Sequence, residues 1–361
     1  MALPFFESPS RKRDQIVAVD LGSRITKAVH VQRRAQSFVL SEYALVDAPI
    51  FEKTLSAELL TEHLKAVTHA LHTKPKTVSL TVGVSDAMVR TVEMPLMPVD
   101  DMRMVLKHNS RNYLQQDLSN FLYDCHVLSN GPNGAQGKPA APAKGQAAAT
   151  QKQRVLVAGA RKQIVQDFTE GAKNAGLAVE QIVPGLVGPA NSFEKAMPEI
   201  FANQVVGLVD IGFRNSAICI LEKGELVLSR VVGIGGDRLT SDLCDSMKIS
   251  YAEAEGIKLG MPGEVQSHLD MTLIPLGREL RASIDFYEHQ HDTAVSQVYV
   301  TGGTARSEFL IERLQQELMV ECKVLNPVKF LQLEVGKEKE PEVAQVAPQL
   351  ATALGTAFAA L

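Results

Sequence analysis

The sequence predicts an α/β protein built from two related domains that face each other, each carrying a hairpin able to cradle phosphate. Three stretches predict it. From Ile16 to Val31 the chain reads IVAVDLGSRITKAVHV: an apolar strand, a polar turn at Asp20-Leu21-Gly22-Ser23, and a return strand from Thr26. That is the pattern of a β-hairpin. From Val205 it reads VVGLVDIGFRNSAICIL, which repeats the pattern with Asp210-Ile211-Gly212 and a tip at Arg214-Asn215-Ser216. From Val298, VYVTGGTARSEFLIERL gives a strand, then Gly302-Gly303-Thr304, then an amphipathic helix. The two aspartates stand 190 residues apart, and a hydroxyl residue follows each at a matched offset, Thr26 and Ser216. A repeat of so long a period indicates two related domains, not a solenoid.

Backbone N–H groups at such tips cradle phosphate oxygens, with Ser23 and Lys27 beside the first. Asp20 closes its strand where a carboxylate can hold a hydrated Mg²⁺ that bridges phosphates. Paired glycines between a strand and a helix let the backbone approach a ligand closely. In this order the three stretches resemble the phosphate-1, phosphate-2 and adenosine motifs of the actin-like ATPase superfamily. The resemblance implies ATP and Mg²⁺ in the cleft between the domains, with Asp20 and Asp210 holding the metal through water. It implies phosphate contacts from Gly22, Ser23, Gly212, Asn215 and Ser216, and charge offset by Lys27. Gly302, Gly303 and Thr304 pack on the adenosine, and Asp210 is the candidate to orient an attacking water.

With 361 residues the chain has room for two substantial cores, and 45% hydrophobic with 22% charged residues is ordinary globular composition. A net charge of −4 gives no footprint for nucleic acid. Cys125, Cys219, Cys244 and Cys322 are scattered without a C-x-x-C, so neither a zinc site nor a disulfide framework is indicated. This suits a reducing compartment, and Cys219 reads as a small buried hydrophobe. No run is long and apolar enough for a transmembrane helix. In MALPFFESPSRKRDQ the basic residues follow the apolar ones, the reverse of a signal peptide. Residues 1–14 read as a mobile tail, with contact to an anionic membrane surface as the competing reading. The protein is expected in the cytoplasm.

After the first hairpin, Ser37 to Val46 reads as a third strand, Ser56 to His72 as an amphipathic helix, and Val78 to Val84 as a returning strand. This β-β-β-α-β order matches an RNase H-like domain. His63, His69 and His72 lie along the helix without carboxylate or cysteine companions, so a solvated face is expected there and not a metal site. Next, Val89 to Met94 is strand-like, Pro95 and Pro98 interrupt it, and Asp100-Asp101 supply an N-cap for a helix. Arg90, Met94-Pro95-Leu96-Met97, Asp100-Asp101, Tyr113 and Asp124 fall where the PilM family of type IV pilus assembly proteins has them, relatives of the cell-division protein FtsA. There a strand with Arg precedes an M-P-x-M turn, and an acidic residue precedes the next strand. Leu114-Gln115-Gln116 departs from the family's apolar corner.

Ser129 to Gln153 holds no Leu, Ile, Val or Phe and is expected to be a disordered insertion. A strand VLVAGA, a helix Arg161–Ala175, a break at Gly176 and a strand Ala178–Val183 are read as completing the inserted subdomain. Leu226 to Gly233 is a strand ending at Gly235-Gly236, where close approach to a phosphate or to the second hairpin is open. Ser250-Tyr251-Ala252-Glu253 is a capping box. In the helix it starts, Glu255 and Lys258 stand at i, i+3. They read as a surface ion pair or, from the superfamily's A-E-x-x-K helix, as adenosine contacts. Leu276 to His289 is a long helix, with His289 and His291 at the surface. Glu334 to Glu342 is a charged linker. Leu350 to Leu361 is an Ala-rich helix expected on the second domain.

The expected organisation is a tail at 1–14, a first RNase H-like domain at 15–85 and 184–204, and an SHS2-like inserted subdomain at 86–183. The second RNase H-like domain covers 205–361, with a smaller subdomain at about 238–292. The family resemblance implies a scaffold, peripheral to the inner membrane, that binds the cytoplasmic N-terminal peptide of a PilN-like protein in a groove involving the inserted subdomain. Pilus motor ATPases and further copies of the chain are the other partners considered. A bound nucleotide is expected to bias the conformation, with little turnover. The competing readings are a small-molecule kinase on the same fold, for which no acceptor motif is present, and an FtsA-like cell-division protein. The latter usually ends in a basic amphipathic helix, and Leu350–Leu361 has no basic residue. A fold that has lost nucleotide binding is the remaining alternative.

Overall fold

The strands of the first sheet read as apolar runs because helices cover both of its faces. The computed structural model describes residues 13–35, 37–51, 54–128 and 152–361. β1 (Gln15–Asp20), β2 (Ile25–Arg34) and β3 (Ser37–Asp47) form an antiparallel meander. The helix α1 (Ala57–Ala70) then crosses over, and β4 (Thr77–Val82) returns parallel to β1. Ser56 caps α1 by accepting from the Leu59 N–H at 3.3 Å, and Leu60, Leu64 and Val67 are its buried face.

β5 (Ala87–Pro95), α2 (Val99–Leu114), β6 (Phe121–Val127) and β7 (Lys152–Arg161) form a separate three-stranded sheet in the order β5-β7-β6. Met94, Met102, Leu106 and Leu114 make its core with α2. Pro98 is the N-cap of α2, so Asp100 and Asp101 lie in its first turn, where they favour the helix dipole without capping it. Asp124 lies inside β6, not before it, and pairs with Arg103 at 2.9 Å. Lys152 and Gln153, expected in the disordered insertion, are strand residues opposite Pro95 and Met94. The rest of that expectation, at 129–151, and residues 1–12 of the tail expected at 1–14 lie outside the described residues.

α3 (Lys162–Asn174) and β8 (Ala178–Pro184) leave the inserted subdomain, which corrects its expected limit at 183. β8 pairs in parallel with β4, and Ile164, Phe168 and Ala172 of α3 share one core with Leu60 and Leu64 of α1. The open edge of β4 is what recruits β8.

After α4 (Val187–Ala196) and α5 (Pro198–Asn203), the second sheet is built from β9 (Val205–Ile211), β10 (Ser216–Glu222) and β11 (Glu225–Val232). The helices α6 (Gly236–Met247), α7 (Tyr251–Gly260) and α8 (Gln266–His291) follow, and Leu239, Leu243, Ala254, Leu269 and Leu273 give them a small core. α8 starts before the expected Leu276 and runs through Pro275. The missing proline N–H frees the Met271 carbonyl, and Met271 is 63% exposed, so water can serve it. β12 (Gln297–Thr301), α9 (Glu308–Leu318) and β13 (Cys322–Val324) complete the sheet in the order β11-β10-β9-β12-β13.

The chain then goes back. β14 (Gln332–Leu333) pairs with β3, α10 (Glu340–Val346) follows, and α11 (Ala351–Ala360) packs on the first sheet. Ala353, Leu354, Ala357 and Phe358 share a core with Ile16, Ala18, Val29 and Leu40. The expectation that this helix covers the second domain is therefore corrected: apolar on every side, it needs burial on every side, and α4 behind it supplies the rest. A Cβ on Gly355 would stand 1.7 Å from the Gly188 carbonyl oxygen, so only glycine lets α4 and α11 touch. The expected charged linker is partly ordered: it enters α10, and the Lys339 ammonium reaches Glu42 at 2.6 Å.

Candidate functional site: the cleft between two hairpins

The register of the first hairpin sets Asp20 opposite Lys27, and their charged groups meet at 3.0 Å. Burial opposes the Lys27 charge, but Asp20, hydrogen-bonded to it, and then Asp210 outweigh that and raise its pKa. A Cβ on Gly22 would lie 2.4 Å from the Ile25 carbonyl oxygen and 2.6 Å from Lys27 Nζ, so the turn requires glycine. The Gly22 N–H donates to the Asp20 carbonyl at 3.0 Å, whereas those of Ser23 and Arg24 find no backbone acceptor among the described residues. Below the tip, Thr26 Oγ1 lies 2.7 Å from His63 Nε2, both buried. Burial lowers the His63 pKa. His63 is thus no part of a solvated face; it braces the hairpin.

In the second hairpin Asp210 stands opposite Ala217 and has no lysine of its own. Burial pushes its carboxyl up to about 6, with Lys27 pulling down and Asp20 pushing up. The Gly212 N–H donates to Asn215 O at 3.0 Å. The Gly212 and Phe213 carbonyls accept from the N–H groups of Gly236 and Asp237, both at 2.9 Å. A Cβ on Gly235 would sit 2.4 Å from the Phe213 oxygen. Gly235-Gly236 therefore serves the hairpin, and the Gly236 donor is spent there. The Ser216 hydroxyl, expected to face a phosphate, donates instead to Ile234 O at 2.6 Å, because Ser216 lies fully buried between two ladder neighbours.

Gly302 has φ +95°, and a Cβ there would lie 2.4 Å from Asp210 Oδ1 and 2.5 Å from Ile211 O. Its N–H goes to Pro348 O at 3.1 Å, while the Gly303 and Thr304 N–H groups have no backbone acceptor among the described residues. Gly236 approaches Thr304: a Cβ on it would be 2.9 Å from Thr304 Oγ1. Lys258 meets Glu255 at 2.6 Å and the Thr240 hydroxyl at 2.7 Å, and is buried. This corrects the surface-pair reading: the pair ties α7 to α6. Burial disfavours the Glu255 charge, but bonds from Lys258 and Thr240, then the charges of Lys258 and Arg24, win and lower its pKa.

Arg24 is the residue that the sequence reading passed over. Its guanidinium lies 5.1 Å from the Phe213 ring centre and 5.6 Å from that of Tyr251, and donates to the Tyr251 hydroxyl at 3.4 Å. It links the first hairpin to the second and to α7 across the cleft mouth. The available signal was a basic residue in a tip whose counterpart carries an aromatic.

Two carboxylates and one ammonium thus converge on the cleft. No group of three or more His, Cys, Asp or Glu placed to hold a metal ion occurs among the described residues. This donor set does not cage a metal, but it fits a hydrated Mg²⁺ carried by phosphates. A carboxyl raised to about 6 is one that a cation would relieve.

A large cavity, about 1360 Å³, lies elsewhere, between β5, β11 and the end of α8. Arg154 and His291 face Glu222 there at 3.8 and 3.4 Å, and His291 stacks on Tyr287 at 4.3 Å. His291 is therefore not a plain surface residue. Among the described residues, no helix is long and apolar enough to cross a membrane.

A family model described as type IV pilus assembly protein PilM matches residues 18–360. The solved PilM-PilN type IV pilus biogenesis complex superposes with a TM-score of 0.81 at 19% identity, over 97% of this chain and 99% of that one. The ethanolamine utilization protein EutJ from Carboxydothermus hydrogenoformans gives 0.55 at 16% identity, over 99% and 91%. The cell division protein FtsA of Bacillus subtilis (strain 168) is 28% identical over 103 residues, 28% of this chain and 22% of FtsA. The chain thus spans about a fifth of that relative's length. The architecture is the actin-like ATPase fold.

Proposed function

The chain belongs to the PilM family of type IV pilus assembly proteins, and on that premise we propose that it is an ATP-binding scaffold for a PilN-like inner-membrane protein. The partner's cytoplasmic N-terminal segment docks in the groove between the inserted subdomain and the second domain. The observation that carries the nucleotide part is the convergence of Asp20, Lys27 and Asp210 at the tips of hairpins from opposite domains.

Lys27 offsets phosphate charge, and the free N–H groups of Ser23, Arg24, Gly303 and Thr304 donate to the nucleotide. Asp20 and Asp210 hold hydrated Mg²⁺, which would supply charge neutralisation between the phosphates. Gly302 leaves the space beside Asp210 open. Ser216 and Gly236 act one step back, by holding the second tip in place.

The groove's walls come from both sides of the cleft: β5 from the inserted subdomain, β11 and α8 from the second domain. A nucleotide that prefers the closed cleft therefore also biases the width of the groove. In this reading the chain works in the cytoplasm, held at the inner membrane through its partner, with pilus motor ATPases and further copies as additional contacts. Turnover is secondary, with Asp210 orienting water.

Titration calorimetry of Mg-ATP into the chain, with phosphate release followed in parallel, tests this. Binding that disappears in both Asp20→Ala and Asp210→Ala, with little release, is the expected result. Undiminished binding in both variants would remove the cleft as the nucleotide site.

A further inference from the structure

Arg24 reaches across the cleft into a socket whose parts all come from the other side. Phe213 stands in the tip of the second hairpin, Asp237 in the first turn of α6, and Tyr251 is the first residue of α7. Asp237 joins the two rings. Its N–H donates to Phe213 O at 2.9 Å, and its carboxylate accepts from the Tyr251 hydroxyl at 2.8 Å. Glu255 and Lys258 of α7 hold that helix to α6 a second time, both through the Thr240 hydroxyl. None of these contacts involves Arg24, so the socket does not need it to hold its shape.

The side that sends the arginine is fixed as well. The Arg24 carbonyl accepts from the Ala48 N–H at 2.8 Å, just past the end of β3, so the tip cannot follow if the second hairpin moves away. Its guanidinium is held by the faces of Phe213 and Tyr251. Among the described residues it has one hydrogen bond besides, to the Tyr251 hydroxyl at a long 3.4 Å. Cation–π contacts at an exposed site are weak, so this side chain can leave the socket and return. Phosphates reach Asp20, Lys27 and Asp210 by passing between the two tips, and Arg24 joins those same tips.

Resting on the nucleotide reading above, we infer that Arg24 is a pin across the cleft mouth that sets the rate of nucleotide exchange, and that a nucleoside triphosphate enters and leaves only while the pin is out of its Phe213–Tyr251 socket. The pin acts on passage and not on affinity. It stands in the way of entry and exit alike, so both rates scale with the fraction of time it is withdrawn, and their ratio does not.

Stopped-flow mixing of the full chain with N-methylanthraniloyl-ATP and Mg²⁺, then a chase with unlabelled Mg-ATP, measures the two rates separately. Arg24→Ala keeps the backbone N–H that faces the nucleotide and removes only the pin. Association and dissociation then each speed up about fivefold to tenfold, while the dissociation constant moves by less than about twofold. Phe213→Leu speeds both about threefold in the wild-type background. In the Arg24→Ala background it adds nothing, since the ring acts through the pin. Faster dissociation with unchanged association makes Arg24 a plain nucleotide contact. Unchanged rates in Arg24→Ala, or a Phe213→Leu effect that adds in full to it, remove the pin. Each of these three results overturns the inference and leaves the nucleotide reading standing. A wild-type chain that binds no nucleotide overturns both.

Discussion

The two hairpins share a motif and differ in nearly every chemical role. Four residues after the aspartate each tip carries arginine: Arg24 is sandwiched by Phe213 and Tyr251, while Arg214 is exposed. Six residues after it each carries a buried hydroxyl, but Thr26 meets a histidine below the sheet and Ser216 a carbonyl beside it. Seven residues after it stand Lys27 and Ala217. So the first hairpin brings a paired acid and a cation, and the second an acid that the fold leaves under-compensated. A repeated motif fixes where backbone and carboxylate go, and its unmatched positions divide the work.

The sharpest way to break this comparison is the same substitution on both sides. Asp20→Asn removes the partner of Lys27 and should cost roughly 2–3 kcal/mol at pH 7. Asp210→Asn should do the opposite. An acid with a folded pKa of about 6, against about 4 unfolded, binds more protons when folded, so stability falls as pH rises from 4 to 6. The neutral variant should gain about 2 kcal/mol at pH 7 and lose that pH dependence. Denaturant melts across pH 4 to 7 check both, and equal losses from the two variants would erase the asymmetry.

Smaller effects sharpen it. Thr26→Val should cost about 1–2 kcal/mol, since it leaves His63 Nε2 buried without its partner, and Ser216→Ala about 1 kcal/mol through Ile234 O. Thermal melts would rank them. Arg24→Ala should lose about 0.5–1 kcal/mol and speed Mg-ATP exchange in stopped flow, whereas Arg214→Ala should change stability by less than about 0.5 kcal/mol.

What the sequence disclosed was local. The hairpins, the Ser250 capping box and the buried stripe Leu60-Leu64-Val67 follow from spacing alone, and the structure has each of them. What it hid depends on partners far along the chain. Nothing near Ala178 says that β4 has a free edge, and nothing in LATALGTAFAAL says which sheet needs covering. Pro275 hid the start of α8, since its tolerance rests on the exposure of Met271. The roles of His63, Ser216 and Arg24 are set by what lies across the space between elements, and residue types at fixed offsets do not encode that.

The return of α11 to the first sheet has a consequence for synthesis. All strands of the second sheet lie between Val205 and Val324, so that domain has its full set as soon as this span has left the ribosome. The first sheet begins at Gln15 yet waits for residues 351–360 to cover Ile16, Ala18 and Val29. Its apolar face is open for most of translation, and its closure is the most non-local step in the chain. The half made first is finished last, and during that interval it is the half in need of a chaperone.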